Sequence, residues 1–212
     1  PYIELTNSDG TELLISQSNA CLSFLGRKFN MSGKNEVDVS QCEQLLLETN
    51  DLRNVITSFA YTHFKNKDLE NEAAKDVFTR AFQNNNVGKI QKFENWMKEN
   101  QDDKNYFLIN KETTIPDFNL FDILDFYVEF LQYYNFATDK NKKNIFNELG
   151  YPNISKFYNN FIQLPKMQKY LNSIFYTLPY TNKSARFGSG IKGDTWNHTS
   201  QVDETPAELI IN

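Results

Sequence analysis

The sequence predicts a mainly α protein in which a β-hairpin and one helix precede an all-helical domain. Three observations carry this. Two short runs, Tyr2 to Leu5 and Glu12 to Ile15, flank Asn7-Ser8-Asp9-Gly10, whose Gly and Asx residues suit a turn with positive backbone angles. Apolar and small residues from Val39 through Cys42, Leu45, Leu46, Leu52, Ile56 and Phe59 to His63 recur at steps of three and four, which describes one long amphipathic helix. Thr114-Ile115-Pro116-Asp117 then reads as a helix start: Thr114 at the cap, Asp117 completing a variant capping box, and Pro116 in the first turn, where a missing N–H is harmless.

Taken in order, the hairpin feeds Ser16-Gln17-Ser18-Asn19, which offers capping side chains to a helix carrying Ala20, Cys21, Phe24, Leu25 and Phe29 and stopping at Asn30 and Gly33. A lone two-stranded hairpin is marginal in water and leaves unpaired edges, so further strands are expected beside it. After the long helix, a second is expected from Leu69 to Glu99, with Asn84 to Gly88 as a kink or break. The helix behind Thr114 carries Phe118, Phe121, Ile123, Leu124, Tyr127 and Leu131 and is expected at the centre of the domain. Shorter helices are expected from Lys140 to Leu149, Ile154 to Gln163 and Lys166 to Phe175, the last two parted by Leu164-Pro165. From Thr181 onward periodicity fades, Gly188, Gly190 and Gly193 loosen the chain, and the end is apolar at Leu209-Ile210-Ile211.

Bulk properties narrow the function. The 212 residues carry a net charge of −5, which argues against nucleic-acid phosphates as partners. Cys21 and Cys42 lack metal-ligand spacing, and His63 and His198 lie far apart, so neither a metal site nor a disulfide framework is expected. A reducing, cytoplasmic compartment fits. No apolar run approaches the length of a membrane span. Pro1-Tyr2-Ile3 opens inside a strand, so a processed or truncated start is expected.

Several segments together resemble mu-class glutathione transferases. Pro1-Tyr2, Ser16-Gln17-Ser18-Asn19-Ala20 and Gly26-Arg27-Lys28-Phe29-Asn30 follow one another as in that class. Phe121-Asp122-Ile123-Leu124-Asp125 is a second match, and Tyr151-Pro152-Asn153 with Leu164-Pro165 a third, so the likeness runs from Pro1 to about Ser184. It implies that residues 1–33 are the last β-hairpin and helix of a thioredoxin-like glutathione-binding domain without its N-terminal part. Residues 34–184 are then the helical C-terminal domain, and 185–212 an extended tail.

The resemblance also implies site residues. Pro1 matches a cis-proline whose neighbouring backbone binds the cysteinyl part of glutathione. Gln17 and Ser18 match positions that hold its γ-glutamyl end, and a carboxylate at a helix N-terminus is physically sensible; a plain capping role for Ser18 is the alternative. Asp51 matches an acid that reaches the amino group of the partner subunit's glutathione; the alternative is an exposed carboxylate near Arg53. Tyr61, about 15 Å further along the same helix, matches the tyrosine that faces the electrophile, against a core aromatic as the alternative. Thr114 and Asp117 match a folding element. The family's thiol-activating tyrosine belongs to a first-strand segment that these residues do not include. The hairpin loop from Thr6 to Thr11 is longer than is usual in the family, and the tail after Trp196 has no family counterpart; both suit attachment to something else.

The function so implied is conjugation of the glutathione thiolate to small electrophiles, glutathione being the co-substrate and a homodimer the expected form. Two alternatives stay open at this level: a non-catalytic, glutathione-transferase-like subunit docked in a larger assembly, and a binding protein that sequesters glutathione without turnover.

Overall fold

The computed structural model describes residues 2–83, 89–100, 107–109, 111–193 and 195. Pro1, the expected kink at Asn84 to Gly88, His198 and the tail beyond residue 195 lie outside the described residues.

Strands β1 (Tyr2–Thr6) and β2 (Glu12–Ser16) pair antiparallel with Ile3 opposite Ile15 and Leu5 opposite Leu13. Gly10 takes φ 82°, and Asp9 Oδ1 accepts from the Thr11 amide at 2.9 Å and the Thr11 hydroxyl at 2.6 Å, so the loop is closed by its own side chains. Among the described residues no third strand joins the sheet, and Tyr2, Leu13 and Leu14 stand exposed.

Helix α1 (Ser18–Lys28) packs beneath the hairpin and is fastened to the rest by Gly26. A Cβ there would lie 2.4 Å from Ser32 Oγ and 2.6 Å from Ile115 Cγ2, closer than a methyl group tolerates. The Ile115 amide donates to Met31 O at 2.9 Å, which fixes the same corner through the backbone.

Helix α2 (Glu36–Ala60) starts at Asn35, whose side chain accepts from the Asp38 amide. It lies along α5 (Ile115–Tyr133), burying Leu45, Leu52, Ile56 and Phe59. The expected second long helix is divided: α3 (Lys67–Phe78) runs into a π-helical turn at Thr79–Gln83, and α4 (Lys89–Asn100) is a separate helix. The turn is held from outside, where Tyr151 donates to Phe82 O and the Phe82 ring meets Tyr127 edge-on.

Helix α5 is the buried centre, as its composition predicted. The Asp117 carboxylate accepts from the Thr114 amide (2.7 Å), the Thr114 hydroxyl (2.8 Å) and the Leu108 amide (2.8 Å), so it caps α5 and ties down residues 107–109. Burial pushes its pKa up to about 6 against these three bonds.

Two of the three later helices are shorter than their periodicity suggested, and the third, expected from Ile154, begins two residues earlier. Only Ile145–Glu148 (α6) is helical within the expected Lys140 to Leu149 span. Asp139 and Asn141 side chains accept from the amides two residues on, at 2.7 and 3.1 Å, and this local bonding competes with the helix. Helix α7 (Pro152–Gln163) is capped by a distant residue, Glu94 of α4, which accepts from the Asn153 and Ile154 amides. Helix α8 (Pro165–Leu171) ends before a 3₁₀ turn at Ile174–Thr177 rather than continuing to Phe175.

Asp117→Ala removes the cap and strands the Leu108 amide; it should lower stability by about 2–4 kcal/mol in urea unfolding. Gly26→Ala should cost about 1–3 kcal/mol and raise proteolytic cleavage between α1 and α2.

Candidate functional site

The strand-to-helix junction sets the first part of the site. Gln17 leaves β2 at φ 75°, ψ 125°, a conformation unusual for a residue with a Cβ, and its carbonyl accepts the first helical bond from Cys21. Holding such a residue costs on the order of 1–3 kcal/mol, so the surrounding hairpin and helix must over-determine it. Gln17, not Ser18, is the N-cap, and it makes no side-chain cap bond. The capping role for the Ser16–Asn19 side chains is therefore not what the structure has. The first turn of α1 contains no acid and its last turn contains Arg27 and Lys28, so the positive end of the helix is not discharged by its own residues.

Ser18 and Asn19 line a cleft of about 440 Å³ between α1, α2 and α5, together with Asn50, Arg53, Phe118 and Asp122. Arg53 Nη2 lies 2.7 Å from Asp122 Oδ2 and 3.2 Å from Asn119 Oδ1, so the guanidinium braces α2 against α5 across the cleft floor.

Asp51 sits one residue from Asn50 on exposed α2 surface. Its partner is Lys89 of α4 at 2.8 Å, not Arg53, and the hydrogen bond and charge of that ammonium hold its carboxyl below the usual range. Tyr61 closes the C-terminal end of α2, 41% exposed, and its hydroxyl oxygen accepts from the Asn182 amide at 3.4 Å. Within one chain, Gln17 and Ser18 share a region with Asn50, while Asp51 and Tyr61 stand apart from it and from each other.

The sequence reading assigned no role to the polar centre around Asp125. This carboxylate accepts from the hydroxyls of Tyr158 (2.7 Å), Tyr176 (3.1 Å) and Tyr180 (2.6 Å) and lies 3.2 Å from Lys192 Nζ. Burial alone would raise its pKa, but the Lys192 charge and the Tyr180 and Tyr158 hydroxyls outweigh it and leave the group below its ordinary value. A cavity of about 500 Å³ lies beside it, lined by Glu129, Lys142, Tyr176 and Lys192 among others. Nothing in local sequence marks this set, because its members lie up to 67 residues apart. Among the described residues no group of His, Cys, Asp or Glu is arranged to hold a metal ion, and no helix is long and apolar enough to cross a membrane.

A profile of the glutathione S-transferase C-terminal domain matches residues 50–174, more than half of the chain. The chain belongs to the glutathione S-transferase family. Glutathione S-transferase P of Bos taurus is 26% identical over 123 residues, 58% of this chain and 53% of that protein. A glutathione S-transferase of Dirofilaria immitis is 26% identical over 117 residues, 55% and 50% of the two chains. The chain thus spans about half the length of the curated relatives it matches. Two solved structures share the fold: the glutathione S-transferase Blo t 8, at TM-score 0.68 and 19% identity over 87% of this chain and 74% of that one, and a Pi-class enzyme of Onchocerca volvulus, at TM-score 0.61 and 21% identity over 84% and 74%.

Both cysteines are buried, and Cys21 also lines the cleft between α1, α2 and α5. Burial pushes the Cys42 thiol up to about 11, and Cys21, also buried, donates to Ile15 O at 3.3 Å. Cys42 in the native protein at pH 8 should react with an aromatic disulfide reagent at least about 100-fold more slowly than in urea; equal rates in the two conditions would contradict this placement.

Proposed function

We propose that the chain supplies the helical domain and the γ-glutamyl end of the glutathione site in a transferase that adds the glutathione thiolate to small electrophiles. One observation carries the reading: the N-terminus of α1, where Gln17 makes no side-chain cap bond and holds a strained backbone, opens beside a cleft of about 440 Å³ that Ser18 lines. Free amides, the helix dipole and one hydroxyl suit a carboxylate. In this reading Gln17 and Ser18 hold the γ-glutamyl group and the backbone at Pro1 meets the cysteinyl part.

Asp51 serves the amino group of glutathione in a partner subunit. Its contact with Lys89 does not oppose this, since an exposed ion pair is worth about 0–1 kcal/mol and is readily exchanged for another cation. Tyr61 faces the electrophile. The thiol-activating tyrosine is a residue of the thioredoxin-like part, of which residues 1–33 are the last hairpin and helix. Residues 34–184 form the helical domain and 185–212 the tail. The mu-class assignment rests on the motifs at Gln17-Ser18, Gly26 to Asn30 and Phe121 to Asp125, and the cytoplasm and a homodimer go with it.

The test is binding to immobilised glutathione and conjugation of a chlorodinitrobenzene by the full-length protein. Ser18→Ala should raise KM for glutathione by about 10-fold with little change in kcat, the loss of one hydrogen bond to a charged group. Tyr61→Phe should lower kcat several-fold and leave KM for glutathione unchanged. Binding without turnover would instead select a sequestering or assembly role, and absence of both would overturn the proposal.

A further inference from the structure

Tyr61 is the last residue attached to α2, and nothing in its own helix fixes its hydroxyl. Among the described residues its oxygen accepts from one group, the Asn182 amide, 121 residues later in the chain. Asn182 lies in a stretch with neither helix nor strand, so its position depends on what holds residues 176–193.

Two anchors hold them. At one end the Arg186 and Phe187 amides both donate to Ala60 O, the residue before Tyr61, at 2.6 and 3.3 Å. Arg186 also contacts His63 Nδ1 through Nε and Nη2. At the other end lies the buried Lys192–Asp125 pair, with side chains 9% and 1% exposed. The Lys192 ammonium sits 4.1 and 4.2 Å from the ring centres of Tyr176 and Tyr180, whose hydroxyls bond the same carboxylate. Between the anchors the segment closes on itself: Thr181 N to Gly188 O at 2.9 Å, Thr181 Oγ1 to Phe187 O at 2.9 Å, Gly188 N to Thr195 O at 2.9 Å, and Lys192 N to Thr177 O at 3.3 Å. Tyr180, one wall of the ammonium's seat, is two residues from Asn182.

We propose that Lys192 is a positioning residue for Tyr61: by pinning residues 176–193 on Asp125 it keeps the Asn182 N–H on the Tyr61 oxygen. This rests on the role proposed for Tyr61 above. A phenol has one proton to give. With the amide occupying an acceptor position on the oxygen, the proton is directed away from the segment, toward whatever lies over the exposed ring, where it donates a hydrogen bond to negative charge developing on the electrophile. No bond to Tyr61 is made or broken. Taking away the ammonium leaves Asp125 buried with three hydroxyl donors and no cation, a loss of charge stabilisation in a site shielded from water; Tyr176 and Tyr180, which wall the vacated seat, are the groups placed to move.

The experiment uses the full-length protein with Lys192→Met, Lys192→Arg and Asn182→Pro, the last removing the N–H and the side-chain acceptor of the Ser184 amide but no group that touches Asp125. Amide exchange at Asn182 should accelerate by about 10-fold or more in Lys192→Met, and Lys192→Arg should restore most of the protection. With glutathione and a chlorodinitrobenzene, Lys192→Met and Asn182→Pro should each lower kcat by about 5-fold at unchanged KM for glutathione, and neither should lower it further when combined with Tyr61→Phe. Unchanged exchange at Asn182 in Lys192→Met overturns the pin. An equal loss of kcat with and without Tyr61→Phe overturns the route through Tyr61. If Lys192→Met does not fold, amide exchange at Asn182 in Lys192→Gln decides the pin, and Asn182→Pro decides the route through Tyr61. If the unmutated protein conjugates nothing, the functional reading fails, and exchange together with the NMR signal of the Tyr61 ring still decides whether Lys192 sets that hydroxyl.

Discussion

The structure depends on burying a helix that carries four acids and no base. Asp117, Asp122, Asp125 and Glu129 lie on α5, which is otherwise almost wholly apolar and covered along most of its length. An unpaired carboxylate in such a place costs several kcal/mol. The three buried acids, Asp117, Asp125 and Glu129, therefore require partners, whereas the Asp122 side chain is 47% exposed; because α5 has no cation, the partners of all four come from outside the helix.

That requirement organises the fold. Asp117 takes the Leu108 amide and Thr114, so the approach to α5 is fixed before the helix begins. Asp122 takes Arg53 and sets α2 against α5. Asp125 takes Tyr158 from α7, Tyr176 and Tyr180 behind α8, and Lys192 beyond them. Glu129 takes Lys142 from the turn before α6. Apolar packing between α2 and α5 supplies most of the driving force, as area burial does in general, but it is non-directional. The four acids convert it into one arrangement, tethering loops that have little secondary structure of their own.

This division explains what the sequence disclosed. Period and capping are local, so the hairpin, α1, α2 and the Thr114 to Asp117 helix start were legible, and α5 could be placed at the centre from its apolar content. Gln17 was legible as a site residue only through family likeness, since no local signal announces a positive φ at a glutamine. The π-helical turn at Thr79–Gln83 and the early end of α8 were not legible: the turn is held by contacts from Tyr151, and each apolar pattern continues past its break. Ionic partners were least legible. Arg53, two positions from Asp51, was its nearest cation in sequence, yet it turns to Asp122, and Lys89 arrives from α4. Two residues along a helix differ by about 200° in direction, so nearness in sequence was the wrong guide.

The same helical geometry bears on how the proposed site residues divide their work. Asp51 and Tyr61 are ten residues apart on one helix, about 15 Å in rise and about 80° apart in direction at 100° per residue. The position of Asp51 faces α4, where Lys89 meets it, whereas Tyr61 meets the segment around Asn182. One glutathione held at Gln17 and Ser18 is therefore not met by both residues in the same way. An arrangement in which Tyr61 serves its own chain's electrophile while Asp51 serves the tripeptide of a second chain satisfies this separation with a rigid α2. Because α2 is packed on α5 through buried Leu45, Leu52, Ile56 and Phe59, that spacing belongs to the core rather than to the surface, and a change in the core would reach both halves of the proposed reaction.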